Sequence, residues 1–285
     1  MSDTLALLKR MNDGDREVPD RVGAAIPAIG HAAEAIAARL EEGGRWFYSG
    51  AGTSGRIAAL DAAEIPPTFG TDPSLVVALM AGGPGALARA VEGAEDDGDA
   101  GARDLDEAGM TPRDAVVGVS ASGTTPYVRS AIRHARNTGA LTGAVVCTPG
   151  APLLSEVELS ILVDAGPEVL RDSSRLRAGT AQKLVLNMLS TAVMARLGRV
   201  YRDEMVAMKP TNEKLRKRAV RIVAEITGIE GERAEDFLRR CEWRLPAALI
   251  SARWGLSAEA AADYLSKKKN NVALALTSPP ERHRP

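Results

Sequence analysis

Two carboxylates and two groups of hydroxyls are the residues of this chain whose types and spacing could do chemistry. Glu64 closes the run Asp61-Ala62-Ala63-Glu64 and is followed by Ile65-Pro66-Pro67, where prolines stop a helix and hold its last turn rigid. Glu95 lies in Glu92-Gly93-Ala94-Glu95-Asp96-Asp97, an acidic cluster at a helix junction. Two carboxylates in different environments can divide acid and base work, because burial raises one pKa while solvation keeps the other low. The cluster also reads as an ordinary solvated face. Crowded carboxylates can hold a divalent cation, but hard-cation loops alternate their ligands and this run does not, so no metal is expected.

The first hydroxyl group sits in Tyr48-Ser49-Gly50-Ala51-Gly52-Thr53-Ser54-Gly55-Arg56. Closely spaced glycines let the backbone turn tightly and approach a ligand, and the helix that follows offers free N–H groups and a positive end to an anion. Thr53 and Ser54 add hydroxyls where a phosphate or sugar would sit. The second group is Ser120-Ala121-Ser122-Gly123-Thr124-Thr125-Pro126, with the pattern S-x-S-G-x-T at another helix start. A helix cap needs one hydroxyl. This loop has Ser120, Ser122 and Thr125, which favours a phosphate over capping alone.

Other chemistries fit poorly. Gly50-x-Gly52-x-x-Gly55 matches a dinucleotide fingerprint, but the second strand ends at Leu79-Met80-Ala81-Gly82 without an acidic residue for the ribose. Gly118-Val119-Ser120-Ala121-Ser122 misses the second glycine of a nucleophile elbow. His31, His134 and His283 have no recognisable metal or triad spacing, and His134 reads as a surface residue.

The bulk properties agree with a globular enzyme. The chain has 285 residues, 36 basic and 37 acidic, with 45% hydrophobic content, so no charged field favours nucleic acid or an anionic membrane. Cys147 and Cys241 suit a reducing compartment, where both pack as small apolar side chains. Met1-Ser2-Asp3-Thr4 lacks a basic segment with an apolar run, so no secretion leader is expected. No apolar stretch approaches the ~18 residues that span a bilayer. These features predict a cytoplasmic location.

The elements that position the candidate residues follow from periodicity. Residues 1–20 read as a mobile lead-in or short helix. Val22, Ile26, Ile29, Ala33, Ile36 and Leu40 form one helix face, which Pro27 kinks or divides. Strands are expected at Arg45–Tyr48, Leu75–Leu79 (an apolar run covered on both faces), Ala115–Val119, Leu141–Cys147 and Leu159–Val163. Helices are expected over Pro84–Glu95, Gly98–Ala108, Pro126–Asn137 and Leu176–Leu197, the last carrying Leu184, Met188, Thr191 and Ala195 on one face. Strands alternating with helices give an α/β fold, a doubly wound parallel sheet flanked by helices, with ligands beyond the carboxyl ends of the strands. After Lys209-Pro210 the pattern turns helical, with a stripe at Leu215, Ala219, Ile222 and Ile226 and pieces around 234–241, 246–254 and 257–268. The expected organisation is a helical lead-in (1–44) packed on a central domain (45–209), an all-helical appendage (210–275) and a disordered tail (276–285).

Several longer motifs carry a resemblance. Gly50-Ala51-Gly52-Thr53-Ser54-Gly55-Arg56, Asp61-Ala62-Ala63-Glu64-Ile65-Pro66-Pro67-Thr68-Phe69-Gly70, Val91-Glu92-Gly93-Ala94-Glu95-Asp96-Asp97, Ala121-Ser122-Gly123-Thr124-Thr125-Pro126, Arg175-Leu176-Arg177-Ala178-Gly179-Thr180-Ala181-Gln182-Lys183 and Thr211-Asn212-Glu213-Lys214-Leu215 span most of the chain. Together they resemble the N-acetylmuramic acid 6-phosphate etherases. These are built on the sugar isomerase (SIS) phosphosugar-binding domain and are related to the glucokinase regulatory proteins.

The resemblance implies elimination of a lactyl ether across C2–C3 of the phosphosugar, then addition of water, giving N-acetylglucosamine 6-phosphate and D-lactate. It makes Glu64 the acid that assists the departing lactate and Glu95 the base that takes the C2 proton, with no cofactor. Gly52, Thr53, Ser54, Ser120, Ser122, Gly123 and Thr125 would hold the phosphorylated amino sugar. The family's homodimer, with its site near the interface, makes Lys183, Arg175 and Asn212 secondary candidates. The family's longer N-terminal segment with a T-E-x-R-N pattern is not found ahead of Met1. Thr124 stands where arginine is usual, Ile65 where cysteine is, Arg177 where lysine is, and Arg171-Asp172-Ser173-Ser174 where T-G-S-T is common. These departures lie near where the sugar's substituents would be read. They leave a relative acting on another phosphosugar ether, or a phosphosugar-sensing regulator, as the alternatives.

Overall fold

The computed structural model describes residues 3–280. The chain divides into two units: residues up to Ala63 with Pro73–Val193, and Glu64–Asp72 with the residues from Met194 onward.

The first unit opens with α1 (Thr4–Ala24) and α2 (Ile26–Glu41). The sequence suggested a mobile lead-in or short helix there; α1 is instead a regular helix of 21 residues, started by Asp3, whose carboxylate accepts from Leu5 N at 3.0 Å. Only Val18 and Val22 of α1 are buried, so polar ties do much of the holding: Glu17 pairs with Arg177 at 2.8 Å and Arg21 donates to the Asp164 carbonyl at 3.0 Å. Pro27 does divide the expected helix, because it occupies the first turn of α2. Ile29, Ala33, Ile36 and Leu40 face the core, while Ile26 is exposed.

β1 (Trp46–Gly50), α3 (Gly52–Phe69), β2 (Val76–Met80), α4 (Ala100–Glu107), β3 (Ala115–Ser120), α5 (Pro126–Thr138), β4 (Leu141–Val146), α6 (Leu153–Glu156), β5 (Leu159–Leu162) and α7 (Arg177–Arg196) follow. The five strands form one parallel sheet in the order β2-β1-β3-β4-β5. β1, β3 and β4 are buried throughout, as near-continuous apolar runs require. β2 corrects an expectation: its middle residues are partly exposed, because it is the edge strand and lacks a second neighbour. The stretch 84–95 is not a helix either. Gly82, Gly83 and Gly93 take positive φ values and leave only short 3-10 turns at Pro84–Leu87 and Ala94–Asp96.

One face of the sheet packs Phe47, Val116, Ala144 and Val146 against Leu105 of α4 and Tyr127, Val128 and Ile132 of α5. On β1 the neighbouring positions are Trp46 and Tyr48, whose rings lie 4.6 Å apart. Tyr48 donates its hydroxyl to Asp61 of α3 at 2.9 Å, and Ser190 of α7 donates to the other carboxylate oxygen at 2.9 Å. The face of α7 carrying Leu184, Met188, Thr191 and Ala195 turns away from the sheet, with Met188 41% exposed. Ala181, Val185, Leu186, Leu189 and Val193 are buried instead.

The second unit contains α8 (Glu213–Thr227), α9 (Gly231–Arg240), α10 (Leu245–Trp254), α11 (Ala258–Lys267) and α12 (Val272–Thr277), packed around a core that includes Ile222, Leu238, Leu249, Ile250 and Val272. Ser257 caps α11 by accepting from Ala260 N. The stripe at Ala219 and Ile222 is buried, with Leu215 and Ile226 packed at its margin. The terminal residues 281–285 of the expected tail lie outside the described residues.

Asp61 gives this fold a pH dependence. Burial pushes its carboxyl from 3.8 up to about 6, against the opposing pull of the Ser190 and Tyr48 hydroxyls and the charge of Lys183. The folded state therefore holds a proton that the unfolded chain has released, and stability from this group is lost as pH rises from about 4 to about 6. The loss is on the order of 2–3 kcal/mol. Asp61→Asn should remove that component, so urea unfolding should show the variant gaining on wild type between pH 4.5 and 7.5; a constant difference would contradict the assignment.

Candidate functional site

The sheet order places the crevice between the carboxyl ends of β1 and β3, where the chain's two winding directions part. A cavity of about 880 Å³ opens there, lined by the loops leaving β1, β3, β4 and β5. Gly52, Thr53, Ser54, Ser120, Ser122, Thr125 and Glu95 all line it. These candidates come from segments spread over the first unit, and the fold brings them to one hollow.

The first loop works through backbone proximity. A Cβ on Gly50 would lie 2.7 Å from the Gly55 Cα, and one on Gly55 would lie 2.9 Å from the Gly50 carbonyl carbon. The end of β1 therefore touches the first turn of α3 with no room for a side chain. Gly52 has open space but a φ of +54°, so it supplies the turn itself. Thr53 is half-buried at the wall. Ser54 is buried and donates to Gln182 of α7 at 2.9 Å, which ties the start of α3 to α7.

The second loop is braced by its own hydroxyls. Ser120 Oγ accepts from the buried Gly123 N–H at 3.0 Å and shares a hydrogen with Thr125 Oγ1 at 2.9 Å. Ser122 accepts from Thr124 N at 3.2 Å and pairs with the Thr124 hydroxyl at 2.9 Å. Gly123 has a φ of +64°, and a Cβ there would lie 2.7 Å from that of Ala151. Although Thr125 stands at the N-cap of α5, its side chain makes no capping bond, so the three hydroxyls are not explained by helix capping. They shape the loop and leave the start of α5 without a side-chain cap.

The acidic run separates by function. Asp97 accepts from Asp99 N and Ala100 N at 3.0 Å and pairs with Arg103, and these bonds hold its carboxyl below the usual range. Glu95 and Asp96 line the main cavity, and Glu92 lines a smaller one of about 160 Å³ beside it. Glu64 lies twelve residues after Gly52 on α3, about 18 Å along the helix axis, and is not among the residues lining the cavity. Both glutamates are exposed in the single chain.

The remaining candidates divide in the same way. Lys183 is exposed on α7, does not line the cavity, and its charge acts on Asp61. Arg175 is exposed as well, and Asn212 caps α8 by accepting from Leu215 N at 2.9 Å. Three departures from the family pattern, Thr124, Arg171 and Asp172, do line the cavity. Arg177 is buried, paired with Glu17 and donating to the Pro167 carbonyl. His134 is paired with Asp106 at 2.7 Å on the surface of α5.

Sequence reasoning missed Glu168, Cys147 and Gln182. Glu168 lines the cavity and accepts from Arg177 N and Ala178 N at 3.0 Å, capping α7 from outside the helix. Cys147 reaches the cavity, but burial pushes its thiol up to about 12, which leaves no thiolate for nucleophilic work. Gln182 stood inside a quoted motif, yet its contact with Ser54 spans 128 positions and no local pattern marks it.

Comparison with known proteins agrees with this geometry. A family model described as the glucokinase regulatory protein N-terminal SIS domain matches residues 28–136. An N-acetylmuramic acid 6-phosphate etherase of Yersinia pestis (strain Pestoides F) is 49% identical over 273 residues, covering 96% of this chain and 92% of that one. An enzyme of the same name from Yersinia pseudotuberculosis serotype O:1b (strain IP 31758) is equally similar. Among solved structures, a phosphoheptose isomerase from Francisella tularensis superposes with a TM-score of 0.56 at 21% identity, over 68% of this chain and 99% of that one. That likeness is one of fold.

The two serines of the second loop should differ when removed. Ser120→Ala strips the acceptor from a buried N–H and should cost about 1–3 kcal/mol. Ser122→Ala, in an exposed pair, should stay within about 0.5 kcal/mol of wild type. Urea unfolding of both variants measures this, and equal losses would contradict the distinct bracing of Ser120.

Proposed function

The chain belongs to the N-acetylmuramic acid 6-phosphate etherase family, and from that premise we propose that the cavity at the ends of β1 and β3 binds the phosphosugar and cleaves its lactyl ether. The observation that carries this reading is Glu95 on the wall of a hollow whose other walls are the glycine turn and the Ser/Thr loop. The phosphate lies at the start of α5 among Ser120, Ser122 and Thr125, with Thr53 and Ser54 across from them. The open-chain sugar presents its C2 hydrogen, acidified by the C1 aldehyde, to Glu95.

Glu95 takes that proton as general base, the C3–oxygen bond breaks, and the departing ether oxygen receives a proton from Glu64. The product of this step is an unsaturated aldehyde and D-lactate. Water then adds its hydroxyl to C3 and a proton returns to C2, giving N-acetylglucosamine 6-phosphate. Thr124, Arg171 and Asp172 read the sugar's substituents from the cavity wall. No step calls for a metal, and among the described residues no cluster of His, Cys, Asp and Glu could hold one.

Glu64 reaches the site from a second copy of the chain. On α3 it shares a helix face with Thr53, Ile57 and Leu60, since residues at spacings of three, four and seven stack on one side. Leu60 is 53% exposed and Met188, on the outward face of α7, is 41% exposed. The two helices run side by side where a Cβ on Gly179 would lie 3.5 Å from Thr53 and 3.6 Å from Ile57. Exposed Leu60 one turn before a carboxylate, with Met188 exposed on α7, suits a homodimer in which each subunit lends its acid to the other.

A cytoplasmic role in reuse of cell-wall amino sugars fits this chemistry. Both cysteines are free and buried, and among the described residues no helix is long and apolar enough to cross a membrane.

Incubation with N-acetylmuramic acid 6-phosphate should release D-lactate, and a mass spectrum without that product would refute the activity. Glu95→Gln should lower kcat by about 10²–10⁴-fold. Mixing inactive Glu64→Gln and Glu95→Gln chains should restore up to about a quarter of wild-type activity, because half of the dimers are mixed and each holds one intact site. No restoration in an exchanged mixture would place both glutamates in the same subunit.

A further inference from the structure

The second unit contains a cavity that the proposed chemistry does not use. It measures about 580 Å³ and lies among the segment ending at Gly70, the stretch Ala207–Thr211, the start of α10 and the end of α11. Its walls carry four cationic side chains, Arg199, Lys209, Arg216 and Arg244, against one carboxylate, Glu242.

Three of those cations have company. Arg216 stacks over the Trp243 ring at 4.9 Å, Arg244 lies 3.9 Å from Glu242, and Lys209 points a long 3.5 Å contact at the Thr71 carbonyl. Arg199 differs. Its Nε is buried with no hydrogen-bond partner, and it forms no ion pair among the described residues. Burial alone lowers its pKa, so no neighbouring carboxylate offsets the desolvation. The residue as a whole is half-buried, its guanidinium keeps its charge, and a partly desolvated cation without a carboxylate partner favours an anion beside it.

We infer that this cavity is a second anion site, which takes a small phosphate ester with its phosphate on Arg199 and its body against Trp243. Several donors around one hollow favour the multiple oxygens and double charge of a phosphate over a single carboxylate. Trp243 gives the uncharged part of such a ligand an apolar surface. The cavity exceeds what inorganic phosphate alone would fill, which leaves space for that part. This site stands apart from the etherase reading and does not depend on it.

Hydrogen exchange of the full-length protein, in inorganic phosphate against chloride at matched ionic strength, tests the site. Phosphate should slow exchange at least threefold in peptides covering residues 199–216 and 241–247. Arg199→Met should abolish that slowing while leaving any phosphate effect in the peptide covering residues 119–128 as it is in wild type. Lys209→Gln, which alters an exposed side chain and serves if Arg199→Met misfolds, should weaken it at least threefold. No slowing in those peptides in wild type, or slowing that survives both substitutions, overturns the second site. A missing effect at 119–128 alone would count against the phosphosugar pocket instead.

Discussion

No side chain fits between the end of β1 and the first turn of α3. Gly50 and Gly55 meet backbone to backbone, and a single added carbon on either would approach main-chain atoms more closely than packing allows. Everything at the site is measured from that contact. It fixes where α3 begins, and so where Thr53 and Ser54 stand. It also fixes the start of α3 close enough to α7 for Ser54 to reach Gln182 and for Asp61, further along, to bridge Tyr48 and Ser190. The buried Asp61 carboxyl is uncomfortable, as its raised pKa indicates. Its two hydroxyl partners hold β1, α3 and α7 in one arrangement.

The second loop solves the same problem by other means. Where the first relies on absent side chains, the loop after β3 is held open by side chains bonding each other. Ser120 and Thr125 form the inner pair, and Ser122 and Thr124 the outer one. A loop that satisfies its own hydroxyls can keep its shape without a ligand, and such preorganisation would lower the cost of ordering it around the proposed phosphate. The parallel sheet contributes direction, because all the strands deliver their carboxyl ends to one edge.

The legible parts of the fold were those dictated by local chemistry. Apolar runs such as Ala115–Val119 marked buried strands, and Pro126 marked the start of α5. The glycine turn and the S-x-S-G-x-T loop were legible for the same reason, since backbone freedom and hydroxyl density are visible in a short window. Other features were set by distant partners. Local pattern could not show that β2 is an edge strand, which depends on sheet order. Nor could it show that α1 is a long helix, because Glu17 finds Arg177 across the chain. The spacing of Leu184, Met188, Thr191 and Ala195 identified a helix face but not which way it turned. Glu168 and Gln182 belong to the same class: each acts through a contact that sequence spacing does not encode.

The two glutamates pose a problem that the single chain does not solve. An acid that must still carry its proton when a leaving group departs needs protection from water, and a carboxyl group gains that protection by desolvation. Glu64 and Glu95 are both exposed within one subunit. In the proposed dimer, the outward face of α3 would supply that protection from water. A second copy seated on Leu60, which precedes Glu64 on the same helix face, would remove water from that carboxyl group. In the proposed dimer the catalytic pair would be complete only where the two subunits meet.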